Sequence, residues 1–372
     1  MKGVFIGQMG RGQTCGMRCE ALRRIGFDMQ SIDSGSLWRS ASYLRRQMDQ
    51  HRRHSATVDR FNERVLSLVR QTSPAFVWAE KQEYLSADVL NEIRQLGVLT
   101  IHYNPDPYYA LAWKQTAHTD ACLAAFDILV VTKRYELAEY AAKNSGQVLY
   151  SPLGYDRVGH RPTVGPVAGF QADVSFVGGW EPARERLILG AREVGRIIKV
   201  WGYGWRHAQQ ARLNPLRAVR LGRLTTVQRP YFGPSRPELR EIVQPGEGAH
   251  GEIYENNYSA AVASASVSLG FLREICPDQH TTRSFEIPAM RGFLLGHRSD
   301  EHLEFFTEGV EAEYFDSDEE FFDKLSFYLT HPEARTSVAN FGYERCMTSG
   351  YSYDDRLKSV MLRIGMLETA LQ

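Results

Sequence analysis

The stretch Gly270-Phe271-Leu272-Arg273-Glu274-Ile275-Cys276-Pro277-Asp278-Gln279-His280-Thr281-Thr282-Arg283-Ser284-Phe285-Glu286-Ile287-Pro288-Ala289-Met290-Arg291-Gly292 contains one turn of an α/β repeat. The apolar run Ser266–Leu272 reads as a buried strand, and Gly292–Leu295 supplies the next one. Between them lie a polar loop and a short helix that carries Glu286. Strand, loop, helix and strand in that order belong to a parallel sheet covered by helices. Ligands of such sheets sit beyond the carboxyl ends of the strands, where the loop places Asp278, His280, Thr281, Thr282 and Arg283. A guanidinium, hydroxyls and helix N-terminal amides together suit a diphosphate. An acid one turn into the helix suits ribose hydroxyls. A surface ion-pair cluster at a helix start is the competing reading of the same residues.

The alternation extends in both directions. Upstream it includes Asp173–Gly179 and Ile197–Trp201 as strands. Further upstream come Val4–Ile6, Phe27–Asp33, Ala75–Ala79, Val98–Tyr103 and Asp127–Val131, with helices near Met17–Ile25, Phe61–Val69 and Ser86–Leu96. Ser86 is a natural N-cap. Between Ser151 and Ala172 the pattern lapses into Pro/Gly-rich sequence, which marks a domain boundary. Downstream, Thr330-His331-Pro332-Glu333 reads as a capping box with proline in the first turn. The final segment has Leu357, Val360, Met361, Ile364, Leu367 and Leu371 on one helical face, which must be buried. The expectation is an α/β chain of two Rossmann-like domains, 1–155 and 165–350. Residues 351–372 form a terminal helix bridging back to the first.

Composition narrows the function classes. A 372-residue chain with 43% hydrophobic and 24% charged residues is a folded protein of about two domains. Lys plus Arg balances Asp plus Glu at 44 each, so no global field recruits nucleic acid. Five scattered cysteines, Cys15, Cys19, Cys122, Cys276 and Cys346, make no disulfide framework and no zinc site. No apolar run approaches the roughly 20 residues of a membrane span, and no signal segment is read. A cytoplasmic protein is expected. One local patch stands out. Arg212, Arg217, Arg220, Arg223, Arg229, Arg236 and Arg240 face a single acid, Glu238. It could give peripheral contact with an anionic membrane or a lipid-diphosphate acceptor, or be a solvated insertion. The Gly246–Gly251 stretch after it reads as a mobile loop.

At the N-terminus, Gly7-Gln8-Met9-Gly10-Arg11-Gly12-Gln13-Thr14-Cys15-Gly16 follows the first strand. Gly10 and Gly12 are the positions for close approach of a ligand to the backbone. Asp33 stands where a dinucleotide fold keeps its ribose acid, but the glycine spacing departs from that fingerprint. Asp106, in the turn after a strand, could bind sugar hydroxyls or orient an acceptor, or simply shape the turn before Pro107. Asp316-Ser317-Asp318 spells a metal-binding Asp-x-Asp, yet helix capping by these residues explains it better. The run His51-Arg52-Arg53-His54 reads as a solvated face.

The block Leu269–Leu357 resembles the C-terminal domain of GT-B glycosyltransferases of the group 1 type, and in particular the bacterial subgroup of CgeB-like proteins. The resemblance is carried by Arg283–Ala289, Gly292, the helix start at His331 and the ending Gly350-Tyr351-Ser352-Tyr353-Asp354-Asp355-Arg356. It extends weakly to Asn104-Pro105-Asp106-Pro107 and Ser175–Trp180. It implies two Rossmann-like domains with parallel sheets facing a central cleft and a donor site built mainly by the second domain. Family members of the retaining type carry a Glu-x7-Glu motif. Asp278 and Glu286 stand at that spacing, with Asp in place of the first Glu. By the family role Glu286 holds the ribose and Asp278 lies by the donor sugar. Departure of a diphosphate builds negative charge, which preorganised cations and amides stabilise. Arg283, then Arg184 after the Gly178-Gly179-Trp180 turn, are the candidates, with His280 and Thr282 beside them.

The expected reaction is transfer from a nucleotide-diphosphate sugar to a glycan, lipid-linked or small-molecule acceptor, retaining and metal-independent, with no cofactor beyond the sugar nucleotide as co-substrate. The alternatives are a non-catalytic nucleotide-sugar or glycan-binding assembly factor and a nucleotide-sugar epimerase. An NAD dehydrogenase would depend on Asp33 instead.

Overall fold

The computed structural model describes residues 1–36, 55–81, 84–195, 197–210 and 237–368. The chain divides into two compact units, Met1–Asp156 with Tyr353–Gln372, and Arg157–Ser352.

The first unit is built on a six-stranded parallel sheet of β1 (Lys2–Gly7), β2 (Asp28–Asp33), β3 (Phe76–Glu80), β4 (Leu99–Asn104), β5 (Ile128–Val131) and β6 (Gln147–Tyr150), in the order β2-β1-β3-β4-β5-β6. Val4, Phe5, Ile6, Phe76, Val77 and Trp78 have no exposed surface, as a strand covered on both faces requires. One face packs on the helices Ala56–Thr72, Ala87–Gln95 and Ala117–Ala125 through Phe61, Val65, Leu90, Ile93 and Leu123. The other packs on the helix Thr14–Arg24 and on the last helix, Tyr353–Arg363, through Cys19, Leu22, Tyr353, Leu357, Val360 and Met361. Ile364 and Leu367 extend that apolar stripe; Leu371 lies outside the described residues. Arg24 holds the last helix at its start, donating to Asp354 (2.8 and 2.7 Å) and to Asp156 (2.7 Å).

The second unit carries β7 (Ala172–Val177), β8 (Ile198–Trp201), β9 (Ala265–Gly270), β10 (Leu294–His297) and β11 (Glu313–Phe315), all parallel, in the order β11-β10-β9-β7-β8. Its core joins Phe176, Trp205, Leu269, Phe271, Phe293, Leu295, Phe321 and Leu325. The helix Arg283–Ala289 is short for a local reason. Pro288 sits within its last turn, Arg291 follows at φ 60°, and the Gly292 amide closes onto the Ile287 carbonyl at 3.0 Å. A β-carbon at Gly292 would lie 2.3 Å from Val262 Cγ1, so the chain turns toward β10 only with glycine there.

Three details differ from the sequence reading. The strands β6 and β11 are absent from it, being segments of four and three residues that each open on a polar side chain. Thr330 does not open a capping box: it ends the helix Asp318–Thr330 and its hydroxyl bonds the Ser326 and Phe327 carbonyls. The next helix, Pro332–Thr348, starts without a side-chain cap. The Gly246–Gly251 stretch is a loop, with the Glu247 and Gly248 amides on the Glu252 carbonyl at 2.8 and 2.9 Å. Arg212 to Arg236 and His51–His54 lie outside the described residues.

Candidate functional site

In both sheets the strand order reverses beside the first strand of the unit, and the crevice for a ligand opens beyond the carboxyl ends of the two strands at that point. In the second sheet those strands are β7 and β9. The loops leaving them are joined by Arg184, on the helix Pro182–Gly190. Its guanidinium donates to the carbonyls of Gly179 and Leu272, each at 2.9 Å, and pairs with Glu181 at 3.2 Å. Arg184 is 4% exposed and its Nε has no partner. Burial, helped by the charges of Arg283 and Arg273, brings its pKa down to about 10. Gly178 lies in the same turn, but its backbone is fully used: its N–H donates to Trp201 and its carbonyl accepts from Trp205 Nε1 at 2.8 Å. A β-carbon there would meet the Phe176 ring at 2.6 Å.

The loop after β9 holds a second arginine that sequence reading passed over. Arg273 Nε donates to Asp278 Oδ2 at 2.7 Å, and the Asp278 side chain has no exposed surface. Asp278 thus stands closed off behind Arg273. Arg283, the first residue of its helix, is half-buried, with a buried Nε that has no hydrogen-bond partner. Arg184, Arg273 and Arg283 stand among three carboxylates, Glu181, Glu274 and Asp278, so the crevice pairs its cations with acids. Thr282 occupies the N-cap position of the helix, and its side chain makes no capping bond.

Behind this loop is a buried scaffold. His280 is wholly buried, its Nδ1 bonded to Glu301 and its ring edge-on to Phe285 and Phe305. That closes it off from a ligand on the loop surface. His302 Nδ1 lies 2.8 Å from the His297 carbonyl, which can only accept, so the ring proton is on Nδ1 and Nε2 accepts from Ser284 Oγ at 2.6 Å. Burial lowers the His302 pKa to about 3 and keeps the ring neutral. His297 Nδ1 accepts from the Leu272 amide at 3.1 Å, and burial takes its pKa down to about 4.

Glu286 is buried one turn into the helix. Tyr258 donates to its Oε2 at 2.9 Å, and His160 Nε2 lies 3.7 Å from its Oε1. Neither partner was named from sequence. Tyr258 is on the helix Glu255–Ala263 and His160 is in the Pro/Gly-rich linker, where nothing local marks either. The structure therefore gathers Arg184, Asp278 and Arg283 within one electrostatic neighbourhood, with Glu286 along the helix from Arg283. It sets His280 behind them.

Gly10, Gly12 and Asp106 belong to the first unit. Gly12 has φ 75°, a conformation that favours glycine. Gly10 accepts the Gln13 amide at 3.1 Å, and a β-carbon there would meet only Gln13 Cγ at 3.7 Å. Asp33 does not present a free ribose acid: its Oδ1 accepts the amides of Met9 (3.1 Å) and Gly35 (2.9 Å) and so shapes the loop. Beneath the loop Arg18, 1% exposed, binds Glu80 in a fork, Nε to Oε1 at 2.7 Å and Nη2 to Oε2 at 2.6 Å. Glu80 also accepts from Cys15 Sγ (2.8 Å) and Trp78 Nε1 (3.1 Å). Burial, with Glu80 beside it, pushes the Cys15 thiol far above its ordinary range. Asp106 pairs with Lys81 at 2.8 Å.

Among the described residues no group of three or more His, Cys, Asp or Glu side chains is assembled to hold a metal ion, and no helix is long and apolar enough to cross a membrane. In the Asp316-Ser317-Asp318 run, Ser317 caps the following helix by accepting the Glu320 amide at 3.1 Å.

Residues 184–361 match the model of a family described as glycosyl transferase-like. No curated protein matches the sequence. Among solved structures, sucrose-phosphate synthase of Thermosynechococcus elongatus superposes with a TM-score of 0.63 at 13% identity, over 98% of this chain and 99% of that one. The α,α-trehalose-phosphate synthase (UDP-forming) of Burkholderia xenovorans gives 0.60 at 11% identity, over 98% and 100%. HepE of Anabaena in complex with UDP gives 0.57 at 9% identity, over 99% and 100%. Likeness at such identities establishes the fold, which is GT-B: two Rossmann-like α/β units, each with a parallel sheet.

Proposed function

We propose that the chain is a glycosyltransferase that takes a sugar from a nucleoside-diphosphate sugar. The observation that carries this reading is the group of three arginines, Arg184, Arg273 and Arg283, at the β7/β9 switch point, with Glu286 one turn beyond Arg283, inside the region that matches the glycosyl transferase-like family. Arg283 and Arg273 supply positive charge to the departing diphosphate, where charge develops in the transition state. Arg184 holds the two loops in register and adds its field. Glu286, oriented by Tyr258, accepts from ribose hydroxyls. Asp278 acts next to the donor sugar through the arginine it orients. With arginines answering the diphosphate charge, the proposed transfer needs no metal, and the spacing of Asp278 and Glu286 favours retention and the CgeB-like subgroup. The acceptor is a glycan, a lipid-linked sugar or a small molecule.

A second reading is supported by one observation: the closed-off Asp278 carboxylate suits a protein that binds a sugar nucleotide without turning it over. Thermal stability against UDP, GDP, dTDP, ADP, CMP and NAD separates the readings from a dehydrogenase. UDP is the first probe, since HepE was solved with it. A ligand at 100 times its Kd adds about 2.7 kcal/mol to the folded state. One diphosphate is expected to raise the Tm, and Glu286→Ala to abolish that rise. Release of the diphosphate from its sugar donor then distinguishes transfer or hydrolysis from binding alone. A response to NAD only, or to nothing with the fold intact, refutes the donor assignment.

A further inference from the structure

The loop that leaves β9 is held from behind by a segment that the donor reading leaves out. That segment, His297–His302, runs from the end of β10 into the helix Asp300–Phe305. It meets the loop at Leu272, Gln279, His280 and Ser284. At the near end the Leu272 amide donates to His297 Nδ1 at 3.1 Å, while the Leu272 carbonyl accepts from Arg184 at 2.9 Å. In the middle Ser299 Oγ donates to the Gln279 carbonyl at 2.5 Å and accepts the His302 amide at 3.1 Å. At the far end the bonds form a relay that runs in one direction. The Thr281 amide donates to Ser284 Oγ at 3.0 Å, the Ser284 hydroxyl to His302 Nε2 at 2.6 Å, and His302 Nδ1 to the His297 carbonyl at 2.8 Å.

Ser284 and His302 are each 1% exposed, so a lost bond in this relay leaves a buried polar group unsatisfied. The His302 ring lies flat on Tyr314, centroids 5.0 Å apart and planes 5° apart, which fixes its plane. Ser284 directly follows Arg283, so whatever holds the Ser284 hydroxyl sets the turn on which Arg283 stands. We propose that His302 is a positioning residue of the donor site: through Ser284 its Nε2 holds the Thr281–Arg283 turn in the shape that receives the diphosphate. This rests on the donor reading and adds to it a residue that touches no substrate. The competing role is packing on Tyr314 alone, and two substitutions separate the roles. His302→Asn keeps a donor where Nδ1 stood but has no acceptor that reaches Ser284, whereas His302→Gln puts a carbonyl oxygen near the place of Nε2. Both lose the ring.

UDP affinity of the full chain is measured by calorimetry for the wild type, His302→Asn, His302→Gln and Ser284→Ala, with melting curves of the nucleotide-free proteins. His302→Asn and Ser284→Ala should weaken UDP about tenfold, as when the binding-competent turn falls to about a tenth of its population. His302→Gln should stay within about threefold of the wild type, because the acceptor for Ser284 is kept. Ser284→Ala leaves the ring on Tyr314, so it reports on the relay even where a ring variant fails to fold. Hydrogen exchange without nucleotide gives a second readout: the Thr281 amide should exchange faster in His302→Asn and Ser284→Ala but not in His302→Gln, with β9 and β10 unchanged. Equal UDP affinities in His302→Asn and His302→Gln, or a Thr281 amide indifferent to Ser284→Ala, overturns the proposal. If neither UDP nor another diphosphate binds the wild type, the donor reading fails, and the exchange of Thr281 alone decides whether His302 shapes the turn.

Discussion

Replacing Arg18 by methionine removes the cation of a pair that has almost no access to water. Arg18 Nε and Nη2 contribute two short bonds to Glu80, and the guanidinium lies 4.7 Å from the Tyr103 ring centroid and 5.1 Å from that of Tyr353. After the substitution the Glu80 carboxylate keeps Cys15 and Trp78 as donors but loses its guanidinium counter-charge. Leaving one charge of a buried pair uncompensated costs about 3–5 kcal/mol. For a unit of this size about 2–4 °C of Tm follows each kcal/mol, so a drop of roughly 6–20 °C is expected. The double variant Arg18→Met/Glu80→Gln should be more stable than the sum of the two single losses by about 2 kcal/mol or more, because the stranded charge is removed with its partner. Thermal unfolding gives the size, and hydrogen exchange in β1, β3 and the helix Tyr353–Arg363 gives the location. A loss under about 1 kcal/mol in Arg18→Met, or strict additivity in the double variant, would refute the reasoning.

Gly12→Ala should lower stability by about 1–2 kcal/mol, the cost of a left-handed alanine, whereas Gly10→Ala should stay within about 0.5 kcal/mol; melting curves compare them, and equal losses would contradict the geometry at Gly12. On acidification, the cluster in which Arg298 bonds Glu308 and Glu320 and Lys324 bonds Glu308 and Glu313 should give way. The Glu320 pKa is brought from 4.5 to about 2, chiefly by its bond to Arg298. A carboxylate depressed in the folded state contributes stability that is complete above 4.5 and is lost as the pH falls from there toward 2. Arg298→Met should flatten the acid limb of a stability–pH curve measured by fluorescence; an unchanged slope would remove the cluster from the account.

The parallel sheets were legible because buried strands announce themselves as continuous apolar runs, as Ile128–Val131 does. Gln147–Tyr150 and Glu313–Phe315 do not: each opens on a polar residue and offers at most three apolar ones, too few to stand out from loop sequence. The polar block from Asp278 to Glu286 was legible as a unit, since a loop and helix after a buried strand leave few other places for a site. The fate of single side chains was not. His280 looks like a loop histidine until Glu301, distant in sequence, closes it in the interior, and Asp278 looks available until Arg273 covers it. Tyr258 and His160 reach Glu286 from separate elements, and such partners are properties of packing rather than of spacing. Thr330 misled for a similar reason, because its hydroxyl can bond backward into its own helix as well as forward to cap the next.

The chain leaves the first unit after Asp156 and returns to it at Tyr353. The Tyr353 amide bonds the Tyr155 carbonyl at 2.8 Å, and Arg157 donates to Ser352 Oγ at 3.1 Å. On the ribosome this order has a cost. The sheet made earliest waits for the helix Tyr353–Arg363 to cover Phe5, Trp78 and Tyr103, while everything needed for the later sheet has already emerged. At roughly 5–20 residues per second, some ten to forty seconds pass in which the first-made half is the unfinished one. A nascent chain stalled before residue 353 should therefore display an apolar face on its oldest part, and that face is where a chaperone would bind.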